Sequence, residues 1–162
     1  MVTPENLIFT MALLSALGCG VMSGLFYAFS FCVMYALNRQ PPAQAVTTMQ
    51  SINETIIHPI FFVLFFGTAA VCAMSVVASL KFWELSEAGF LLSGGVLYLI
   101  GSVLVTFRFN IPMNNALASS KANEEKGVDY WPIYFKKWTA WNHVRFVSAL
   151  AAAALFVVAI GK

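Results

Sequence analysis

The sequence contains very little charge. Of its 162 residues, only 10% are Asp, Glu, Lys or Arg and 60% are hydrophobic, whereas soluble domains carry about 25% charged residues. So small a polar fraction cannot cover a protein surface in water, which argues against a soluble domain. No cluster of basic residues is longer than the pair Lys136–Lys137, so the sequence also predicts no nucleic-acid partner.

Side chains that form disulfides or hold metals are equally scarce. Cys19, Cys32 and Cys72 lie inside apolar runs and form no C-x-x-C pair, which is typical of apolar filler between helices. The histidines are His58 and His143, and no short motif of a phosphate-binding loop, zinc protease or serine hydrolase is present. The sequence therefore favours a protein without a bound cofactor.

Long apolar runs are abundant, and a membrane-crossing helix needs about 20 such residues. We predict transmembrane helices at approximately 7–37, 59–80, 88–107 and 141–160. The first helix should end before Pro41-Pro42. The last is expected to begin near Pro132 and to enter the membrane around Trp141. The predicted fold is an all-α, four-transmembrane-helix bundle with short helices in its loop region, forming a single membrane domain over residues 1–162.

The basic residues are divided unequally between the two ends of this predicted bundle. Lys81 and Lys162 lie on the side of the termini, and the other seven lie at the opposite end: Arg39, Arg108, Lys121, Lys126, Lys136, Lys137 and Arg145. Because basic loops remain in the cytoplasm, we expect both termini outside it and the protein in the inner cell membrane. Membrane lipid is an expected partner, and the small residues of the spans leave a homo-oligomer open.

Polar side chains gather at the predicted cytoplasmic end, in three separate segments. Because unpaired polar groups are costly at membrane depth, we expect them to form one connected cluster, whose members are Gln50, Asn53, Arg108, Asn110, Asn114, Asn115, Asn142 and Arg145. Trp138, Trp141, Asn142 and Arg145 are spaced i, i+3, i+4 and i+7, so they should share a helix face. Anchoring at headgroup depth is an alternative role for the two tryptophans.

One segment of the polar cluster, and a pair of polar residues in the first span, also have local interpretations. The segment Asn110-Ile111-Pro112-Met113-Asn114-Asn115 is expected to be a helix stop followed by a helix start, with one or two asparagines as caps. In the first span, Tyr27 and Ser30 are three residues apart, and a buried tyrosine hydroxyl usually finds a partner.

A metal site is the alternative that the histidines leave open. Glu54, His58 and His143 are the residues that would supply a mixed triad for non-haem iron or copper, and the two histidines would suffice for haem. Pro59 follows His58 directly and disfavours helical geometry there. That break would spoil the i, i+4 alignment of Glu54 with His58, so a metal or haem is the less favoured hypothesis.

Four motifs occur in a recognisable order: Gly24-x-x-Tyr27-x-x-Ser30, Gln50-x-x-Asn53, Asn110-x-Pro112-x-Asn114-Asn115 and Trp138-x-x-Trp141-Asn142-x-x-Arg145. This pattern resembles the anthrone-oxygenase-like family of small four-helix membrane proteins, which is largely a domain of unknown function. The resemblance extends from about Leu7 to Ile160. It implies a lipophilic aromatic or quinone-like ligand and, in some members, oxidation of anthrones to anthraquinones without metal or flavin.

The resemblance also implies roles for individual residues. His143 would be the base, and Asn142 and Arg145 would hold the oxygens of the substrate. Ligand-binding residues would be Tyr27, Gln50, Asn53, Arg108, Asn110, Asn114, Asn115, Trp138 and Trp141, with the indoles stacking on the rings. The alternative is a non-catalytic membrane protein that binds lipid or partner helices, with the polar cluster locking loops onto the bundle.

Overall fold

The computed structural model describes residues 4–120 and 125–162, and these ranges form helices and no strand. The helices are α1 (Pro4–Ala28), α2 (Met34–Asn38), α3 (Pro42–Thr55), α4 (Pro59–Lys81), α5 (Ala88–Tyr98), α6 (Ile111–Ala118) and α7 (Glu125–Ile160), with π-helical turns at Phe29–Val33, Leu99–Leu104 and Thr106–Asn110. The all-α prediction is confirmed.

Several of these helices join end to end into four rods that are long and apolar enough to cross a membrane. We call them spans 1 to 4: Glu5–Asn38, Pro59–Lys81, Ala88–Ala118 and Gly127–Ile160. A helix satisfies its backbone hydrogen bonds internally, which lipid requires. The protein is therefore an integral membrane protein with the predicted four-span architecture.

Span 3 continues further than its sequence suggested. The predicted helix stop at Asn110 is wrong, because the rod runs on to Ala118. In the π-helical turn before Pro112, the N–H of Ile111 bonds to the carbonyl of Thr106, five residues back. Pro112 therefore falls in the first turn of α6, where its missing N–H is not needed. Asn110 has helical angles (φ −71°, ψ −45°) and makes no capping hydrogen bond.

The helix of span 4 begins earlier than expected. It starts at Glu125, so that Pro132 lies inside it rather than at its beginning. Trp131, Tyr134 and Trp138 share one face on both sides of the proline and are only 2%, 0% and 4% exposed. Burial of large side chains, worth about 1.5–3 kcal/mol each, outweighs the cost of about 3 kcal/mol for an interior proline.

Two hydrophobic cores hold the bundle together. The larger core joins the membrane spans, and its glycines let the rods approach closely. A Cβ at Gly95 would lie 2.8 Å from the Cys72 carbonyl oxygen of span 2. The smaller core lies where α2, α3, α6 and the first part of α7 meet, around Met34, Val46 and Tyr134. We call this end of the molecule the polar end, because the side chains of the predicted cluster lie near it.

Candidate functional site

A cavity of about 470 Å³ lies beside the smaller core, among α3, α6 and spans 1 to 4. Its apolar wall is formed by residues such as Phe26, Phe29, Phe61 and Met49. Its polar side chains are Gln50, Asn53, Glu54, Thr106, Asn110, Asn114, Asn115, Asn142 and Arg145. Binding sites for small molecules typically have this size, with mainly apolar walls and a few converging polar groups.

Arg145 is the buried cation of this cavity and is only 7% exposed. Its Nη1 donates a hydrogen bond to Thr106 Oγ1 at 3.2 Å, and its Nη2 donates to Asn142 Oδ1. The guanidinium carbon lies 4.5 Å from the ring centroid of Phe26 and 5.1 Å from that of Trp138. Two hydrogen bonds and two aromatic faces therefore fix the orientation of the guanidinium.

Asn142 connects Arg145 to span 1. Its Nδ2 donates to the Phe26 carbonyl and to Ser30 Oγ, both at 2.7 Å. Ser30 belongs to the π-helical turn of span 1, and Thr106 begins a π-helical turn of span 3. Such turns often occur at functional sites, and here both contribute a hydroxyl to the network around Arg145.

The positive charge of Arg145 has no acidic partner among the side chains that the structure describes. Within residues 4–120 and 125–162, no acidic side chain with a described position forms an ion pair with it, and its Nε finds no hydrogen-bond partner. Asn110 donates to the Trp138 carbonyl at 3.3 Å, but its own buried Oδ1 also lacks a described partner. Buried polar atoms are normally paired, so this wall of the cavity contains two polar atoms whose hydrogen-bonding capacity is unused among the described residues.

Other amides of the cavity hold its walls together. Gln50 Nε2 donates to the carbonyls of Leu117 and Ser120, both at 2.8 Å, and thereby satisfies acceptors at the end of α6. Asn114 Oδ1 accepts hydrogen bonds from the Tyr134 hydroxyl at 2.9 Å and from Trp138 Nε1 at 2.8 Å. These contacts fix α3 and α6 relative to α7.

Comparison with known proteins identifies the family. A family model described as anthrone oxygenase matches residues 61–155, which is more than half of the chain. The chain belongs to the anthrone oxygenase family. No curated protein and no solved structure gives a significant match. The matched region includes Thr106, Asn110, Asn142 and Arg145, whereas the cavity residues of α3 precede it.

The anthrone oxygenase family is cofactor-independent, in agreement with the prediction of a protein without a cofactor. In the part of this family member that the structure describes, no three His, Cys, Asp or Glu side chains are grouped to hold a metal ion. His58 has extended angles (φ −126°, ψ 144°) and caps α4 through a hydrogen bond from Ile60 N–H to its Nδ1 at 3.3 Å. The helix therefore breaks between Glu54 and His58, as Pro59 predicted.

Most of the predicted polar cluster of this anthrone oxygenase family member comes together in the cavity. Seven of its eight members line the cavity, and so does the predicted ligand-binding residue Trp138: the seven are Gln50, Asn53, Asn110, Asn114, Asn115, Asn142 and Arg145. Asn53 also lies near the Tyr134 hydroxyl. Side chains from α3, span 3 and span 4 therefore share one site, although these three segments are far apart in the sequence.

Four other predicted site residues lie outside the cavity. Tyr27 is 53% exposed, and Arg108 is exposed with its guanidinium 5.5 Å from the Phe109 ring centroid. Trp141 stacks on Phe109 with ring centroids 3.6 Å apart. The expectation that both indoles point into one site is therefore wrong. Three residues advance the helix by about 300°, so Trp141 is displaced by about 60° from the direction of Trp138, and its ring packs against Phe109 instead of the cavity.

His143 is also turned away from the cavity. It stacks on Phe31 with a centroid distance of 5.1 Å, and it does not line the cavity wall. Each residue rotates a helix by about 100°, so the residue next to Asn142 faces a different neighbour. The structure therefore does not bring the predicted base to the site.

Two polar residues of the cavity were not predicted as part of an organic-ligand site. Glu54 follows Gln50 by four residues on α3, and Thr106 precedes Asn110 by four on span 3. Residues four apart share a helix face, so this spacing was the signal that would have identified both.

Proposed function

We propose that the protein binds a planar, lipophilic anthrone-type ketone and oxidises it to the quinone with molecular oxygen, without a cofactor. Arg145 carries this proposal, because it is a buried guanidinium without an acidic partner among the described residues, in the wall of an otherwise largely apolar cavity. Membership in the anthrone oxygenase family supplies the class of reaction.

The chemistry requires little more than binding and proton transfer. An anthrone has a carbonyl on one side of its central ring and a CH2 group on the other. Loss of one proton from that CH2 gives an enolate, which passes an electron to O2 and then forms a carbon–oxygen bond. Loss of water from the resulting hydroperoxide forms the second carbonyl. One anthrone and one O2 thus give one quinone and one water.

The residues of the cavity suit these steps. Arg145 would donate hydrogen bonds to the oxygen on which negative charge develops, and such donors act strongly in a site that excludes water. Phe26, Phe29 and Phe61 provide apolar contacts for flat rings. The side-chain amides that line the cavity, such as that of Asn115, would hydrogen-bond a hydroxyl group of the ligand.

A lipophilic ligand is supported by the side of the cavity that faces span 2. Ile57 and Phe62 line the cavity and are 66% and 41% exposed. They lie on either side of Pro59, at the beginning of an apolar span. We propose that the ligand reaches the cavity from the surrounding lipid, in which a flat aromatic ketone dissolves readily.

The test is conversion of an anthrone by the purified protein in lipid nanodiscs under air. Quinone absorbance and oxygen consumption are measured against protein-free nanodiscs, because anthrones also oxidise spontaneously. The expected result is enzyme-dependent turnover with one O2 consumed per quinone. Binding without turnover would instead support a non-catalytic ligand-binding protein, and absence of binding across a series of anthrones would overturn the proposal.

A further inference from the structure

We infer that Glu54 is the general base that removes the carbon-bound proton of the substrate, an inference that rests on the proposed function. Among the described residues that line the cavity, Glu54 and Arg145 are the only ionisable ones. A guanidinium has no acceptor for a proton. An ionised carboxylate does, and carboxylates are frequent general bases in enzymes.

The backbone position of Glu54 is fixed by the contacts of α3. Gln50, one turn earlier on the same face, is tied to the carbonyls of Leu117 and Ser120. Asn53, the preceding residue, lies near the Tyr134 hydroxyl, and this part of α3 packs into the smaller core with Tyr134. The last turn of α3 is therefore held against α6 and α7, which orients Glu54 toward the cavity rather than leaving it on a free loop.

Glu54 and Arg145 differ in depth, and this difference matches the shape of the substrate. Arg145 is 7% exposed, whereas Glu54 is exposed and lines the same cavity. In an anthrone the acidic carbon and the carbonyl oxygen lie on opposite sides of the central ring. When the oxygen is bound at Arg145, the CH2 group points away from it, toward the outer part of the cavity where Glu54 lies.

Proton transfers at Glu54 then balance over one turnover. Its carboxylate takes one proton from the CH2 group, and the electron pair of that C–H bond becomes the enolate. After O2 has added, the carboxylic acid returns the proton to the peroxide oxygen. The carboxylate next removes the remaining hydrogen from the same carbon, whose electron pair forms the C=O bond as the O–O bond breaks. The released hydroxide takes the proton from Glu54 and leaves as water.

The decisive variant is Glu54→Gln, which keeps the size of the side chain and removes its basicity. We expect kcat to fall by about 100- to 10,000-fold, the usual contribution of a general base, while binding of the quinone product is kept. The matched control is Glu84→Gln, since Glu84 is an exposed glutamate in the loop between spans 2 and 3. It should retain wild-type turnover.

Two further measurements isolate the proton-transfer step. Without oxygen, wild-type protein in D2O should accelerate deuterium exchange at the CH2 group above the protein-free rate, and Glu54→Gln should not. Because Glu54 is exposed, added formate should partly restore turnover to Glu54→Ala. Both results are expected of a base and not of a residue that only supports the fold.

The outcomes separate this inference from the proposed function. If wild-type protein binds no anthrone, the proposed function fails. If it turns over and Glu54→Gln turns over equally fast, only the assignment of Glu54 is overturned. Loss of exchange in His143→Gln together with full exchange in Glu54→Gln would transfer the role to the histidine and likewise overturn the assignment.

Discussion

Replacement of Arg145 by methionine tests the site most directly. Methionine fills similar space between Phe26 and Trp138 but has neither charge nor donors. Because negative charge develops on the ketone oxygen only during reaction, the change should act mainly on kcat. Loss of a donor to such an oxygen costs about 2.7–4 kcal/mol, so we expect kcat to fall about 100- to 1,000-fold.

A pair of variants at Thr106 tests how the guanidinium is held. Thr106→Val removes the hydroxyl that accepts a hydrogen bond from Arg145 Nη1 at 3.2 Å, whereas the contact with Asn142 remains. A hydrogen bond to a charged group contributes about 1.5–3 kcal/mol, and we expect part of this energy to be lost from the orientation of the guanidinium. The expected fall in kcat is about 10-fold, which corresponds to about 1.4 kcal/mol in the activation free energy. Thr106→Ser keeps the hydroxyl and should stay close to wild type.

The assay is the initial rate of quinone formation in nanodiscs, with kcat and KM determined separately and thermal unfolding recorded for each variant. Arg39→Met is the matched control, because Arg39 is exposed at the end of span 1. If Arg145→Met unfolds at the wild-type temperature and keeps kcat within about threefold of wild type, far from the expected loss, the proposed role of this guanidinium is refuted.

Four other predictions concern stability, topology and composition. Gly95→Ala would place a Cβ 2.8 Å from the Cys72 carbonyl oxygen and should lower the free energy of unfolding by about 1–3 kcal/mol. In the control Gly67→Ala the added Cβ meets no atom within 4 Å, so this variant should not be destabilised. Thermal unfolding in detergent measures the difference between the two variants. Gln50→Glu removes both donors to the end of α6 and should destabilise by about 1–3 kcal/mol, so an unchanged unfolding temperature contradicts the role assigned to this amide. A reporter fused after Lys162 should lie outside the cytoplasm because of the basic asymmetry, and cytoplasmic activity of the reporter would reverse the topology. The purified protein should contain no haem, flavin or stoichiometric metal; a Soret band, or iron or copper found by elemental analysis, would make the metal hypothesis the leading one.

The sequence alone was sufficient for the membrane architecture. Lipid cannot form hydrogen bonds with the N–H and C=O groups of the backbone, so a long apolar run that crosses a membrane forms a helix wherever it lies in the chain. The break at Pro59 was predictable for a similar reason, since a proline restricts the residue before it through local sterics. The shared position of Gln50, Asn53 and Asn142 followed from the order of the spans.

Predictions of helix ends were less successful where packing competes with a local signal. Asn110 and Pro112 suggested a helix stop, and Pro132 suggested a helix start. In the structure a π-helical turn accommodates Pro112, and Trp131 and Tyr134 are buried on both sides of Pro132. Neither of these two local arrangements can be read from the residues around Pro112 or Pro132, because each depends on packing against helices that are distant in the sequence.

Only the tertiary structure decided which polar side chains face the cavity. Asn142 and His143 are neighbours in the chain, yet one bonds to span 1 and to Arg145, and the other stacks on Phe31. Periodicity gives the angle between two residues of a helix, but not the direction of the helix toward its neighbours. That direction comes from the packing of separate spans, and it placed Glu54 in the cavity and left His143 outside.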